Sequence, residues 1–159
     1  MKITIIGVGK VKEKFYTQAI AEYSKRLSRY CKLQIIELAD EKTPDAISLH
    51  EQELIKDKEG DRILKALPED AYICALAIEG KTFDSPGLAA HIEKMGISGV
   101  SHIVFVIGGS LGLSDYVLKR ADLLLSFSAL TFPHQLMRVI LLEQIYRSFR
   151  IIHHEPYHK

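Results

Sequence analysis

Cysteine is scarce: Cys31 and Cys74 are the only two in 159 residues. Two cysteines make neither a disulfide framework nor a four-ligand zinc site, and they fit a reducing compartment. No apolar run reaches the roughly 18–20 residues that a bilayer span needs, and Met1–Lys14 carries charge without a signal-peptide core. These absences predict a cytoplasmic chain with no membrane segment. There is no internal repeat and no linker rich in proline, glycine and serine, so a single domain is expected over residues 1–159. What is present is ordinary globular material. Hydrophobic residues make up 47% and charged residues 26%, which excludes a disordered or low-complexity chain. A chain of this length buries roughly 70% of the surface its unfolded form exposes, so a real core is available.

Net charge is also slight, at +1, but it is unevenly spread. Residues 1–32 hold eight Lys/Arg against two acids, a net of +6; residues 33–70 hold five against eleven, a net of −6. The remaining residues come to +1. A basic N-terminal fifth beside an acidic stretch hints at a polyanion contact near the N-terminus, although many such clusters are only solvated helix faces.

Periodicity alternates between strand and helix. Ile3–Val8 is a short apolar run closed by Gly7 and Gly9, and Phe15, Ala19, Tyr23 and Leu27 then recur at helical spacing. Leu33–Leu38 reads as a second strand. A long polar helix is predicted from Thr43 and Pro44, with the stripe Ile47, Leu54, Ile63 and Leu67, a break near Gly60 and an end by Pro68. Tyr72–Ile78 is nearly all apolar, as a strand covered on both faces should be. Asp84 or Ser85 then caps a helix that has Pro86 in its first turn and runs to about Met95. His102–Ile107 is another buried strand, Leu113–Arg120 a short helix, Asp122–Phe127 a last strand, and Pro133 opens a helix to about Ile152 before the tail 153–159. Strict alternation predicts an α/β fold with a mostly parallel sheet flanked by helices.

Three tempting motifs fail on their own physical terms. Gly80-Lys81-Thr82 resembles the end of a phosphate loop, but the glycine due five residues earlier is Ala75, inside a strand. The glycines at 108, 109 and 112 lack the first glycine of a dinucleotide fingerprint, which would fall on Ile107, and Gly7-Val8-Gly9 lacks its third at Lys12. His154-Glu155-Pro156-Tyr157-His158 matches a zinc-protease motif letter for letter. Pro156 breaks the helical turn that would bring the two histidines together, so no metal is expected.

The chemistry is concentrated in the last third. A buried parallel strand ending in Gly108-Gly109 places bare backbone at the carboxyl edge of the sheet, where open α/β folds bind ligands. A tight turn alone would also account for those glycines. The connection Ser126–His134 is apolar and free of glycine where a surface loop should be polar, so it must be buried or line a pocket. Backbone groups in such a loop would bond a flat heterocycle between apolar walls. The helix after Pro133 carries apolar residues on more than one stripe, with Leu136, Val139, Ile140 and Ile145 on one side and Met137, Leu141, Leu142 and Phe149 on others. One face can serve the core and another a second copy, unless both are buried within one subunit.

These blocks together, Ile107–Ser114, Leu125–Gln135, Arg138, Glu143-Gln144, Tyr146-Arg147 and Pro156–Lys159, with the opening Met1–Glu22, closely resemble the ribosomal RNA large subunit methyltransferase H family of the SPOUT class. The resemblance spans essentially the whole chain. It implies a C-terminal trefoil knot, S-adenosylmethionine held in a bent form, a homodimer, and methylation of N3 of a pseudouridine in the helix 69 loop of 23S rRNA on assembled 70S ribosomes. Carried onto this sequence, cofactor contacts fall on Leu76, Gly108, Phe127, Ser128, Ala129, Leu130, Thr131 and Phe132.

An imide N–H becomes nucleophilic only as its proton leaves, so the reaction needs a base or a stabiliser of the resulting anion. The candidates are His134, Arg138 one turn on, and Tyr157 and His158 in the tail. We expect the tail of one subunit to close over the pocket of the other, with Tyr157 and His158 holding the base and Arg138 offsetting developing charge. His134 could equally cap or pack the helix start. Phosphate contacts are expected from Lys10, Lys12, Lys14, Lys25, Arg26, Arg29, Arg147 and Arg150. Two alternatives stay open: a knotted methyltransferase acting on tRNA or naked rRNA, and a non-catalytic ribosome-associated dimer.

Overall fold

The computed structural model describes residues 1–159. Its elements follow one another as β1 Lys2–Val8, α1 Lys14–Leu27, β2 Lys32–Leu38, α2 Leu49–Ala66, β3 Tyr72–Thr82, α3 Ser85–Ile97, β4 His102–Ile107, α4 Asp115–Arg120, β5 Leu123–Ser126 and α5 His134–Ile152. The five strands form one sheet in the order β2-β1-β4-β3-β5, and every pairing is parallel. The fold is therefore the α/β type that the alternation predicted. All five carboxyl ends lie along one edge.

Alternation along the central strands explains the two cores. Successive strand residues point to opposite faces, and on β4 Ile103, Phe105 and Ile107 join one cluster while Val104 and Val106 join the other. The first cluster packs under α1, α3 and α5 through Leu27, Leu88, Ile92, Leu141 and Ile145. The second packs under α2 and α4 through Ile63 and Val117. Three of the five helix starts carry side-chain caps: Ser48 accepts from the Glu51 N–H at 3.1 Å, Asp84 from Gly87 at 2.7 Å, and Ser114 from Val117 at 3.3 Å.

The second helix differs from expectation. It begins at Leu49 behind the Ser48 cap, residues 41–48 run as a loop, and Gly60 does not break it. Gly60 is there for close approach, since a Cβ would stand 2.4 Å from the Ser114 hydroxyl. The third strand also runs further than expected. It continues past Gly80 to Thr82, with a register shift that lets both Leu76 and Lys81 pair with Leu125. A Cβ on Gly80 would lie 2.6 Å from the Leu124 carbonyl group, so β5 crosses this backbone at a distance that only glycine permits.

Candidate active site

Two cavities lie side by side at the carboxyl edge of the sheet. The apolar one sits over β4, β3 and β5 and holds about 580 Å³ of empty space, its open mouth included. Leu76, Ala77 and Ile78 of β3, Gly108, Gly109 and Gly112 after β4, and Phe127, Ser128, Leu130, Thr131 and Phe132 after β5 form its walls, with His134 and Met137 from α5. The polar one sits over β1 and β2 and is lined by Gly9, Lys10, Lys12, Glu37, Asp40, His134 and Gln135. His134 belongs to both.

The apolar pocket owes its shape to backbone. Gly112 has φ +87°, and its N–H returns to the Gly109 carbonyl at 3.1 Å. A Cβ on Gly108 would meet the Gly112 carbonyl carbon at 2.8 Å. The tight turn and the bare pocket floor are thus the same feature. The loop after β5 is braced from within, with the Ser128 hydroxyl accepting from the Leu130 N–H at 3.0 Å and the Ser126 hydroxyl donating to the Ser128 carbonyl at 3.3 Å. Of the eight residues expected to contact a cofactor, seven line this pocket; Ala129 is exposed and does not. Ile78 and Met137 were missed, although each follows from periodicity, two along β3 from Leu76 and three along α5 from His134.

His134 stands at the start of α5 against the Gly9 backbone, where a Cβ on Gly9 would come within 3.3 Å of its Cε1. Its Nδ1 is buried and has no hydrogen-bond partner. Burial lowers its pKa from the usual imidazole value, and the Arg138 charge lowers it further against the opposing pull of Asp40. Both effects favour the uncharged ring.

Arg138, expected to offset developing charge, is 2% exposed and bridges strands beside a small cavity that it lines with Val11 and Thr17: Nη2 donates to the carbonyls of Val8 at 3.0 Å and Gly9 at 2.7 Å, and Nη1 pairs with Glu37 at 2.8 Å. Its guanidinium fills the space where a Gly7 side chain would go, the Cζ lying 2.6 Å from an ideal Cβ. Val8, Gly9 and Glu37 take up three of its N–H groups and so hold the ends of β1 and β2 together, while Nε is buried without a hydrogen-bond partner.

The tail lies on its own α5. Tyr157 donates to Glu143 at 3.0 Å, Arg147 forks onto the same carboxylate at 3.0 and 2.6 Å, and His158 Nδ1 stands 3.1 Å from Arg147. Burial and Glu143 push the Tyr157 hydroxyl up to about 12. His158 shares a groove with Phe83, Ser85 and Gln144, whose wall of Leu125 and Phe127 is also a wall of the apolar pocket. The structure thus brings Tyr157, His158 and Arg147 together and keeps them apart from His134.

The basic residues divide into two sets. Arg26 pairs with Glu22, Arg147 with Glu143, and Arg29 and Arg150 with Glu155. Lys10, Lys12, Lys14 and Lys25 are exposed and in no ion pair. No three His, Cys, Asp or Glu side chains are placed to hold a metal ion, and no helix is long and apolar enough to cross a membrane.

An all-parallel sheet with a glycine turn after β4 and an apolar loop after β5 is the arrangement of a SPOUT methyltransferase, and the family signature described as "Predicted SPOUT methyltransferase" matches residues 1–158. Full-length relatives agree. The ribosomal RNA large subunit methyltransferase H of Bifidobacterium adolescentis is 64% identical over 159 residues, all of both chains, and that of Clostridium botulinum strain Langeland is 60% identical over the same span. This chain belongs to the ribosomal RNA large subunit methyltransferase H family. Among solved structures, a methylase-family protein from Haemophilus influenzae superposes with TM-score 0.54 at 12% identity, covering 99% of this chain and 70% of that one. A Legionella pneumophila methyltransferase solved with bound SAM gives 0.52 at 12% identity, covering 94% of this chain and 66% of that one. At such identities the likeness is one of fold.

Proposed function

We propose that the chain transfers a methyl group from S-adenosylmethionine to N3 of a pseudouridine in the helix 69 loop of 23S rRNA, on assembled 70S ribosomes in the cytoplasm, as a homodimer. The observation that carries this reading is the position of His134, whose ring lines both the apolar pocket and the polar cleft. The lining of the apolar pocket suits the methyl donor: Leu76, Ile78 and Phe127 would hold its flat heterocycle, and main-chain groups of residues 127–132 and of Gly108 would be available to its polar edge.

When bound, S-adenosylmethionine supplies a sulfonium methyl for in-line displacement, and the chain's part is positioning and proton removal. His134 accepts the N3 proton as that nitrogen attacks, then releases it to solvent. The polar cleft admits the nucleotide, with Lys10 and Lys12 at its edge for flanking phosphates, and Lys14 and Lys25, at opposite ends of α1, reach more distant phosphates. Tyr157 and His158, already organised by Glu143 and Arg147, close over the partner's pocket. Arg26, Arg29, Arg147 and Arg150 act on RNA only after exchange of their carboxylate partners.

The test is transfer of labelled methyl to 70S ribosomes that lack the modification, with free subunits, naked rRNA and tRNA in parallel, followed by digestion to nucleosides. Label in 3-methylpseudouridine from 70S particles is the expected result. No label on any particle while S-adenosylmethionine still binds would replace catalysis by the non-catalytic ribosome-bound dimer.

A further inference from the structure

A carboxylate behind the apolar pocket has no part in the chemistry above. Glu59 lies on α2, a helix that is otherwise mostly polar and exposed, yet it is itself 4% exposed. No Lys or Arg side chain bonds to it. Its Oε2 accepts the Glu41 N–H at 3.0 Å, and its two oxygens stand 3.1 and 3.2 Å from the place where a Cβ on Gly109 would be. The next residue repeats the pattern at the other end of the same turn: Gly60 meets the Ser114 hydroxyl, which caps α4, at a separation that no side chain would allow. Two residues further on, Arg62 donates to the Ala39 carbonyl at 2.9 Å and pairs with Glu41.

We propose that Glu59, with Gly60 beside it, is a positioning residue that fixes the glycine turn of the methyl-donor pocket from behind and ties that turn to the loop walling the polar cleft. The sheet order makes this possible. In β2-β1-β4 the loop after β2 and the turn after β4 flank the end of β1, and residues 59–62 of α2 span the gap on the α2 side. Thr43 and Ser110, 3.4 Å apart, make a second and exposed link between the same two segments.

A buried carboxylate is a costly way to fill this space. An apolar side chain of equal length would occupy it, but would leave the half-buried Glu41 N–H without its partner and the turn unsupported. Burial raises the Glu59 pKa, the Asp40 and Glu41 charges add to that, and the Glu41 N–H and Arg62 oppose it. Glu59 serves the turn by shape and by accepting one hydrogen bond, and both survive in an amide.

The proposal rests on the reading of the apolar pocket as the S-adenosylmethionine site, and the experiment separates the two. Calorimetric titration of wild type, Glu59→Gln and Glu59→Asp with S-adenosylmethionine is paired with hydrogen exchange at residues 109–114 and with melting curves. Wild type and Glu59→Gln should bind within about twofold of each other, whereas Glu59→Asp, one methylene short of Gly109, should bind about tenfold more weakly and exchange faster at the turn while melting cooperatively. Glu59→Asp binding like wild type, with the turn equally protected, overturns the proposal and leaves the donor site standing. Glu59→Asp that fails to fold overturns it too, since the carboxylate then serves the whole fold. A wild-type chain that does not take up S-adenosylmethionine removes the donor-site reading and this one with it.

Discussion

The two cavities at the carboxyl edge are built by opposite means. The apolar pocket over β3, β4 and β5 is shaped by main chain, by glycines at 108, 109 and 112 and by a loop braced on its own serines. The polar cleft over β1 and β2 is shaped by charged side chains that hold one another, Arg138 on Glu37 and on the carbonyls of Val8 and Gly9, with Lys10 and Lys12 left free. A backbone-built pocket changes little with protonation or salt and suits a cofactor of fixed shape. A cleft built on charges responds to both and suits a polyanion that must be bound and released. His134 is the one side chain that can report on each.

Removing the shared wall should have the largest effect. His134→Asn keeps polarity and volume near the site but lacks a basic nitrogen, and single-turnover methylation of 70S particles should slow by about 10²–10⁴-fold. S-adenosylmethionine affinity by titration should hold within a few fold. The pH profile sharpens the point. Because burial and Arg138 lower the His134 pKa, the wild-type rate should persist below the ordinary imidazole value near 6.5 and fall only in more acidic solution. An inflection at or above that value would contradict the environment described.

Arg138→Ala tests the charge-built side. It leaves the Val8 and Gly9 carbonyls and the Glu37 carboxylate without their guanidinium, and a broken buried pair costs about 3–5 kcal/mol. Glu37 is one-third exposed and regains water, so denaturant titration should show a loss near the lower end, about 3 kcal/mol. The apolar pocket should still bind S-adenosylmethionine in the folded fraction. Lys10→Glu with Lys12→Glu touches only the mouth of the cleft. Affinity for 70S particles should drop by about ten- to a hundredfold, and the slope of log affinity on log salt should flatten by about two. An unchanged slope would move the RNA footprint elsewhere.

The backbone-built half of the site was the more legible in sequence. Gly108-Gly109 at a strand end and the apolar stretch Ser126–His134 point to this edge by composition, and of the eight contacts that the family resemblance implies seven line the pocket. The charge-built half was not legible, because it depends on pairings between distant residues. Arg138 is one helical turn from His134, and nothing in the spacing shows that Glu37, about a hundred residues earlier, captures it. Glu59 was hidden for the same reason: in a run of acidic residues only the three-dimensional structure distinguishes the one that is buried. The late start of α2 has a local cause: Pro44 has the look of a helix start, but Ser48 offers the cap and places Glu51 in the first turn.

The smallest expected effect concerns the tail. Tyr157 meets Glu143 through one hydroxyl, and Arg147 already forks onto that carboxylate and stacks its guanidinium 4.6 Å from the Tyr157 ring. Tyr157→Phe therefore removes one hydrogen bond to a charged group and leaves the ring contacts with Arg147 and Tyr146 in place. Such a bond contributes about 1.5–3 kcal/mol when buried and less near a chain end open to water. Hydrogen exchange at residues 155–159 should rise by no more than about tenfold, with the global midpoint in denaturant unchanged. Methylation is the discriminating readout. A tail that only rests on its own helix would leave turnover as it was, whereas a tail that carries Tyr157 to the partner's pocket should show a slower rate at saturating ribosomes with S-adenosylmethionine affinity untouched.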